Sequence, residues 1–212
     1  MKVSKAELRR EKMQVFNAQV HDERNRLIAL DLDARELVDC FDCGNFFTEL
    51  AASGLLSERG KATSMAAVLT GLGDPRWKVR RTCADFLDHW GDQNCVQPLL
   101  QLLRDPRENV RRLALHSLLC QQCKQCPLEG DFTDAIVERA LVDRSVRVRR
   151  IAIEALGGFP VDARIEHVLQ AVLEKDTDPV LLSRARSALL RQRQADNAPK
   201  HLVNFRPDPP PN

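Results

Sequence analysis

Four segments of this chain align with one another without internal gaps. They are DPRWKVRRTCADFL from Asp74, DPRENVRRLALHSL from Asp105, DRSVRVRRIAIEAL from Asp143 and DTDPVLLSRARSAL from Asp176. Each opens on aspartate. Five residues on stands Val79, Val110, Val148 or Leu181. Nine on stands a small residue, Cys83, Ala114, Ala152 or Ala185, and thirteen on stands Leu87, Leu118, Leu156 or Leu189. Steps of four place these three positions on one helical stripe. The small residue in the middle lets a neighbouring helix approach closely.

An apolar stretch precedes each aspartate: Met65 to Leu72, Val96 to Leu103, Ala135 to Val142 and Ile165 to Leu173. Each unit therefore reads as helix, short turn, helix. One such pair cannot bury its own apolar face, so neighbours must stack. Composition agrees. Leucine and arginine, both good helix formers, occur 29 and 24 times, whereas aromatics make up 5% and tyrosine is absent.

The spaced Asp, Val-Arg, Ala and Leu of these segments resemble the HEAT repeat family, including its bacterial variants and other armadillo-like repeats. The resemblance covers about residues 61–192. It implies an all-α fold, a right-handed α-solenoid of about four HEAT-like helical hairpins with an N-terminal helical extension. The fourth copy departs from the pattern, with Leu182 in place of the arginine. It looks like a terminal cap.

Residues 1–60 form the N-terminal extension, which could be a degenerate repeat. Ser4 and Glu7 make an S-x-x-E capping box that opens a helix from about Lys5 to Ile28, with a loose stripe of Leu8, Val15, Val20 and Leu27. Asp33 and Glu36 make a second capping pattern. Two short helices broken near Gly44 are expected over 35–56. Residues 193–212 end in RPDPPPN, which cannot be helical and reads as a flexible tail.

The first three copies carry adjacent arginines. Successive helix residues differ by about 100°, so the two columns point differently. The resemblance implies that Arg80, Arg111 and Arg149, with the turn aspartates Asp74, Asp105 and Asp143, form an Asp–Arg ladder between repeats. The second column, Arg81, Arg112 and Arg150, is expected to face outward on the inner surface. Four residues further stand Asp85, His116 and Glu154, so the face carries both signs, to which Asp88 adds. A bare arginine column would suggest phosphate. A mixed one suits a protein partner, and the alternative is a solvated, self-paired face.

Net charge is +2, which gives no electrostatic case for nucleic acid or membrane. HEAT-like DNA glycosylases use exposed aromatics. Here Trp90 falls on a core stripe and Trp77 lies in a first turn. Some HEAT-repeat oxygenases hold iron through His-Glu pairs, which are absent. The start MKVSKAELRREK lacks a signal-peptide core, and no apolar run approaches the roughly 20 residues of a membrane span. Seven cysteines without a secretion signal fit reduced thiols in a cytoplasmic protein.

Cys120, Cys123 and Cys126 form C-x-x-C-x-x-C, and Cys40 and Cys43 form a second C-x-x-C. That spacing lets two thiolates reach one ion. Cys95 begins the first helix of the second repeat and Cys120 ends its second, which places both at one edge. Cys95, Cys120, Cys123 and Cys126 could therefore supply a zinc site; free, partly buried thiols are the other reading.

No nucleophile–base pair, phosphate loop or metal triad is evident. The expectation is a non-enzymatic scaffold or adaptor binding a protein partner along the second-helix face. A bilin-lyase-like accessory, whose relatives contain such repeats, and a nucleic-acid binder are the alternatives.

Overall fold

In a computed structural model of the chain, residues 4–120, 123–124 and 127–196 are described. They contain helices and no strand. The chain divides into two compact units, Met1–Glu129 and Gly130–Asn212. Residues 197–212, most of the expected tail, lie outside the described part.

The first unit holds α1 (Lys5–Ala29), α2 (Ala34–Asp39), α3 (Phe46–Glu58), α4 (Lys61–Gly71), α5 (Trp77–Trp90), α6 (Val96–Leu102) and α7 (Glu108–Leu119). Both capping boxes read from the sequence are formed, Ser4 with Glu7 and Asp33 with Glu36. The chain breaks after α2 through a 3-10 turn, Cys40–Asp42, and Gly44 at φ +79°. That conformation strains any side chain with a Cβ, which is why glycine punctuates the segment.

Helix α1 packs on α3, with Phe16 in contact with Phe46 and Phe47 and Leu27 buried. Leu8 and Val15 of the expected stripe are exposed. The first half of the helix therefore extends past its packing partner, and Phe16 and Leu27 make the contact instead.

Helices α4 and α5 form one hairpin and α6 and α7 the next, with α5 and α7 side by side. The second unit repeats this with α8 (Thr133–Val142), α9 (Val146–Leu156), α10 (Ala163–Lys175) and α11 (Pro179–Asp196). There α9 packs on α11 and α8 on α10.

The repeat columns form the cores. Val79, Val110, Val148 and Leu181 are fully buried, as are Cys83, Ala114, Ala152 and Ala185. Leu87, Leu118, Leu156 and Leu189 complete the stripe. Burying each valine or leucine contributes roughly 1.5–3 kcal/mol. Gly71 of α4 shows how close the helices come: a Cβ there would lie 2.5 Å from Cys83 Sγ.

The turn aspartates start the second helices. In every copy the carboxylate accepts a hydrogen bond from the N–H two residues on: Asp74 from Arg76, Asp105 from Arg107, Asp143 from Ser145 and Asp176 from Asp178, at 2.7–3.0 Å. The recurring aspartate thus satisfies an amide that the new helix leaves unpaired. A buried hydroxyl adds a tie across the first unit, from Ser117 Oγ to the Ala84 carbonyl at 2.7 Å.

Candidate partner-binding face and a neighbouring thiol cluster

The first arginine column works within the body of each unit. Arg80 donates from Nε to Asp105 Oδ2 at 2.6 Å and from Nη2 to Oδ1 at 3.2 Å. Its Nη1 donates to the carbonyls of Asp74 and Pro75 in its own turn. One guanidinium therefore closes its own turn and holds the aspartate of the next. Arg149 does the same, with Asp143 O at 3.1 Å and Asp176 Oδ2 at 2.9 Å. Arg111 donates to the carbonyls of Asp105 and Pro106. Asp74 is gripped by Arg76, which also reaches Asp39 of α2 at 2.5 Å. That grip holds the Asp74 carboxyl below the usual carboxylate range.

The second column is not uniform. In the second unit Arg150 forms a two-point pair with Asp178, at 3.0 and 2.6 Å, and Glu154 pairs with Arg184. These residues do not present bare charge. Arg150 reaches from α9 to the turn before α11, and Glu154 to α11 itself. Asp178 was hidden from sequence reasoning because it lies in the copy that departs from the pattern.

In the first unit Arg81 is half-buried, and its Nε has no hydrogen-bond partner among the described residues. Asp85 of α5 and Arg112 of α7 are exposed and, among the described residues, have no ion-pair partner. His116, one turn beyond Arg112, is also exposed, but its Nε2 turns to Asp88 Oδ2 at 3.2 Å. The mixed-charge surface therefore sits on the paired helices α5 and α7. Trp90, placed on a core stripe by its spacing, is 37% exposed at the end of α5 and stacks on Phe86. Trp77 is half-buried with the Arg107 guanidinium over its ring.

Asp88 is only 3% exposed, which corrects its placement on the outer surface. Its Oδ1 lies 3.5 Å from Nζ of Lys124, whose side chain is 1% exposed. Lys124 also donates to the Ser117 carbonyl at 2.5 Å. On the other side of Asp88 stand His116, Cys120 and Cys123. One donor atom from each of these four residues lies within 4.8 Å of all the others. The Cys123 N–H donates to Cys120 Sγ at 3.3 Å. Hydrogen bonding to Cys120 and Asp88 pushes the Cys123 thiol up to about 12.

Cys95 does not belong to this group. It is fully buried in the 3-10 turn Gln93–Cys95, where a Cβ on Gly91 would lie 2.9 Å from its sulfur. Desolvation pushes its thiol up to about 11. The last turns of α5 and α7 bring Asp88 and His116 to the thiols in its place. Cys126 lies outside the described residues. Cys40 and Cys43 bond to carbonyls near them in sequence, Glu36 and Asn45.

Stacked hairpins with a capped aspartate turn and an Asp–Arg link define a class, the helical-repeat proteins. Residues 65–120, from within α4 to the end of α7, match the family described as HEAT repeats. Comparison with curated proteins finds no match. Among solved structures, the chain is similar to one in the complex of CpcE and CpcF of phycocyanin lyase from Nostoc sp. PCC7120. The TM-score is 0.59 at 21% identity, over 73% of this chain and 96% of that one. It is also similar to a designed armadillo repeat protein, with a TM-score of 0.47 at 14% identity over 90% and 95% of the two chains. No helix among the described residues is long and apolar enough to cross a membrane.

Proposed function

We propose that this protein is a non-enzymatic interaction module that binds a protein partner through the α5–α7 face, with Asp85 and Arg112 as its charged contacts. One observation carries this reading. Arg150 and Glu154 are engaged by neighbouring helices, whereas Asp85 and Arg112 stand exposed and without ion-pair partners among the described residues. Exposed charges of both signs suit a partner surface that also carries both signs, and they steer its approach. The solved structure with a similar fold is a complex of two proteins, which is a use of the same kind.

Affinity purification from the native cell tests it. A partner recovered with the wild type is expected to be lost with Arg112→Glu. Retention of that partner means that the face is wrong.

That structure belongs to a phycocyanin lyase, which motivates a second reading, a lyase accessory. Incubation with a bilin separates the two: a stable coloured complex favours the accessory, and none is expected of the interaction module. Tight, steeply salt-dependent binding to duplex DNA would instead indicate a nucleic-acid binder.

A further inference from the structure

We propose that Asp88, His116, Cys120 and Cys123 form a structural zinc site that fastens the segment after α7 to the end of α5.

The donor set comes from three places. Asp88 lies in the last turn of α5, His116 in the last turn of α7, and Cys120 and Cys123 follow α7 directly. Two of the spacings favour one ion. His116 and Cys120 are four residues apart, and the Cys120 N–H still bonds the His116 carbonyl, so both side chains leave the same side of the helix end. Cys120 and Cys123 have the C-x-x-C spacing, with the second N–H already donated to the first sulfur. Such a bond supports a thiolate that ligates a metal.

The distances also fit. Tetrahedral zinc, at about 2.3 Å from sulfur and about 2.0 Å from nitrogen or oxygen, holds its donors roughly 3.3–3.8 Å apart. His116 Nε2 and Asp88 Oδ2 are already 3.2 Å apart. The four donors lie within 4.8 Å, so the sulfurs need to close by no more than about an ångström.

Charge selects the ion. Two thiolates and a carboxylate carry three negative charges. A dipositive ion leaves one, and the Lys124 ammonium beside the other oxygen of Asp88 cancels it. The site becomes neutral overall, which removes an uncompensated charge beside the buried Asp88 and Lys124. Thiolates with imidazole and carboxylate favour zinc over calcium or magnesium, which take oxygen donors. On binding, the two thiol protons pass to solvent. His116, half exposed, leaves an open edge for entry.

The set does not include Cys95, and this gives the test its sharpest control. Full-length protein is purified reduced and anaerobically, stripped with chelator, and titrated with zinc against a chromophoric competitor. Cobalt(II) is titrated in parallel. The wild type is expected to take about one zinc per chain, to show a thiolate-to-cobalt charge-transfer band, and to melt at a higher temperature with zinc than without. Cys95→Ser should keep all three properties. Asp88→Asn, His116→Ala and Cys123→Ser should each lose the stoichiometric binding. His116→Ala alters an exposed side chain, and its far-UV circular dichroism should match the wild type, which separates lost ligation from lost folding. Zinc binding that survives Asp88→Asn and His116→Ala, or that is lost in Cys95→Ser, overturns the proposal. So does a wild type that binds no zinc.

Discussion

Arg80 of α5 and Asp105, the turn residue of the next hairpin, form a two-point ion pair at 2.6 and 3.2 Å. The two side chains are 12% and 3% exposed, so the pair is largely buried. Removing one member of a buried pair leaves the other without compensation, at a cost of about 3 kcal/mol or more. Arg80→Ala is therefore expected to lower the unfolding free energy by that amount, read as a fall in the urea midpoint. Arg80→Ala with Asp105→Asn should recover part of the loss, because no charge is then left buried and unpaired. A double-mutant cycle in urea checks it.

Gly71 of α4 should not accept alanine. The new methyl would lie 2.5 Å from Cys83 Sγ and 3.0 Å from Val38 Cγ1. Overpacking of this kind costs about 1–3 kcal/mol. Cys83→Ala removes the nearer atom, so the double variant is expected to be more stable than Gly71→Ala alone. Thermal melts of the two proteins compare them directly.

The acid limb of stability should rest on the paired carboxylates. Asp178 is held below the ordinary value of 3.8, first by Arg150 and then by the Leu181 amide. Asp176 is held low first by the Asp178 amide and, in part, by Arg149. A lowered native pKa means that the unfolded chain binds the proton more readily. The stabilisation is therefore full above about pH 5, declines as pH falls through 3.8, and is gone below the native value. Asp178→Asn should flatten the pH dependence between pH 5 and 3, measured as urea midpoint against pH.

The two halves of α1 should respond differently to truncation of side chains. Leu27→Ala opens a space in the buried contact with α3 and is expected to cost about 2–5 kcal/mol. Val15→Ala, at an exposed position, should change stability by no more than about 0.5 kcal/mol. Paired urea titrations test the contrast.

The Val, small-residue and Leu columns were legible because helical periodicity repeats them. Val79, Val110, Val148 and Leu181 are all fully buried as their spacing requires. The turn role of Asp74, Asp105, Asp143 and Asp176 could also have been found, since an aspartate bonding the N–H two residues on, just ahead of a helix, is a known turn signal. The partners of Arg150 and Glu154 could not. Asp178 stands where the other copies have Arg76, Arg107 and Ser145, and Arg184 has no equivalent in the column. Cys120 and Cys123 were legible as neighbouring thiols, but their partners Asp88 and His116 escaped for a different reason. Asp88 is 28 residues from His116 in sequence, and helical spacing alone does not reveal which of Asp85 and Asp88 turns inward. The packing of α5 on α7 decides it.

The central claim is that Asp85 and Arg112 present a partner-binding face. Calorimetric titration of the recovered partner into purified wild type, Asp85→Arg, Arg112→Glu and the remote exposed control Arg9→Glu tests this most directly. The account predicts at least about tenfold weaker binding for the first two variants and wild-type affinity for the control. Affinities for Asp85→Arg and Arg112→Glu within about twofold of wild type would contradict it.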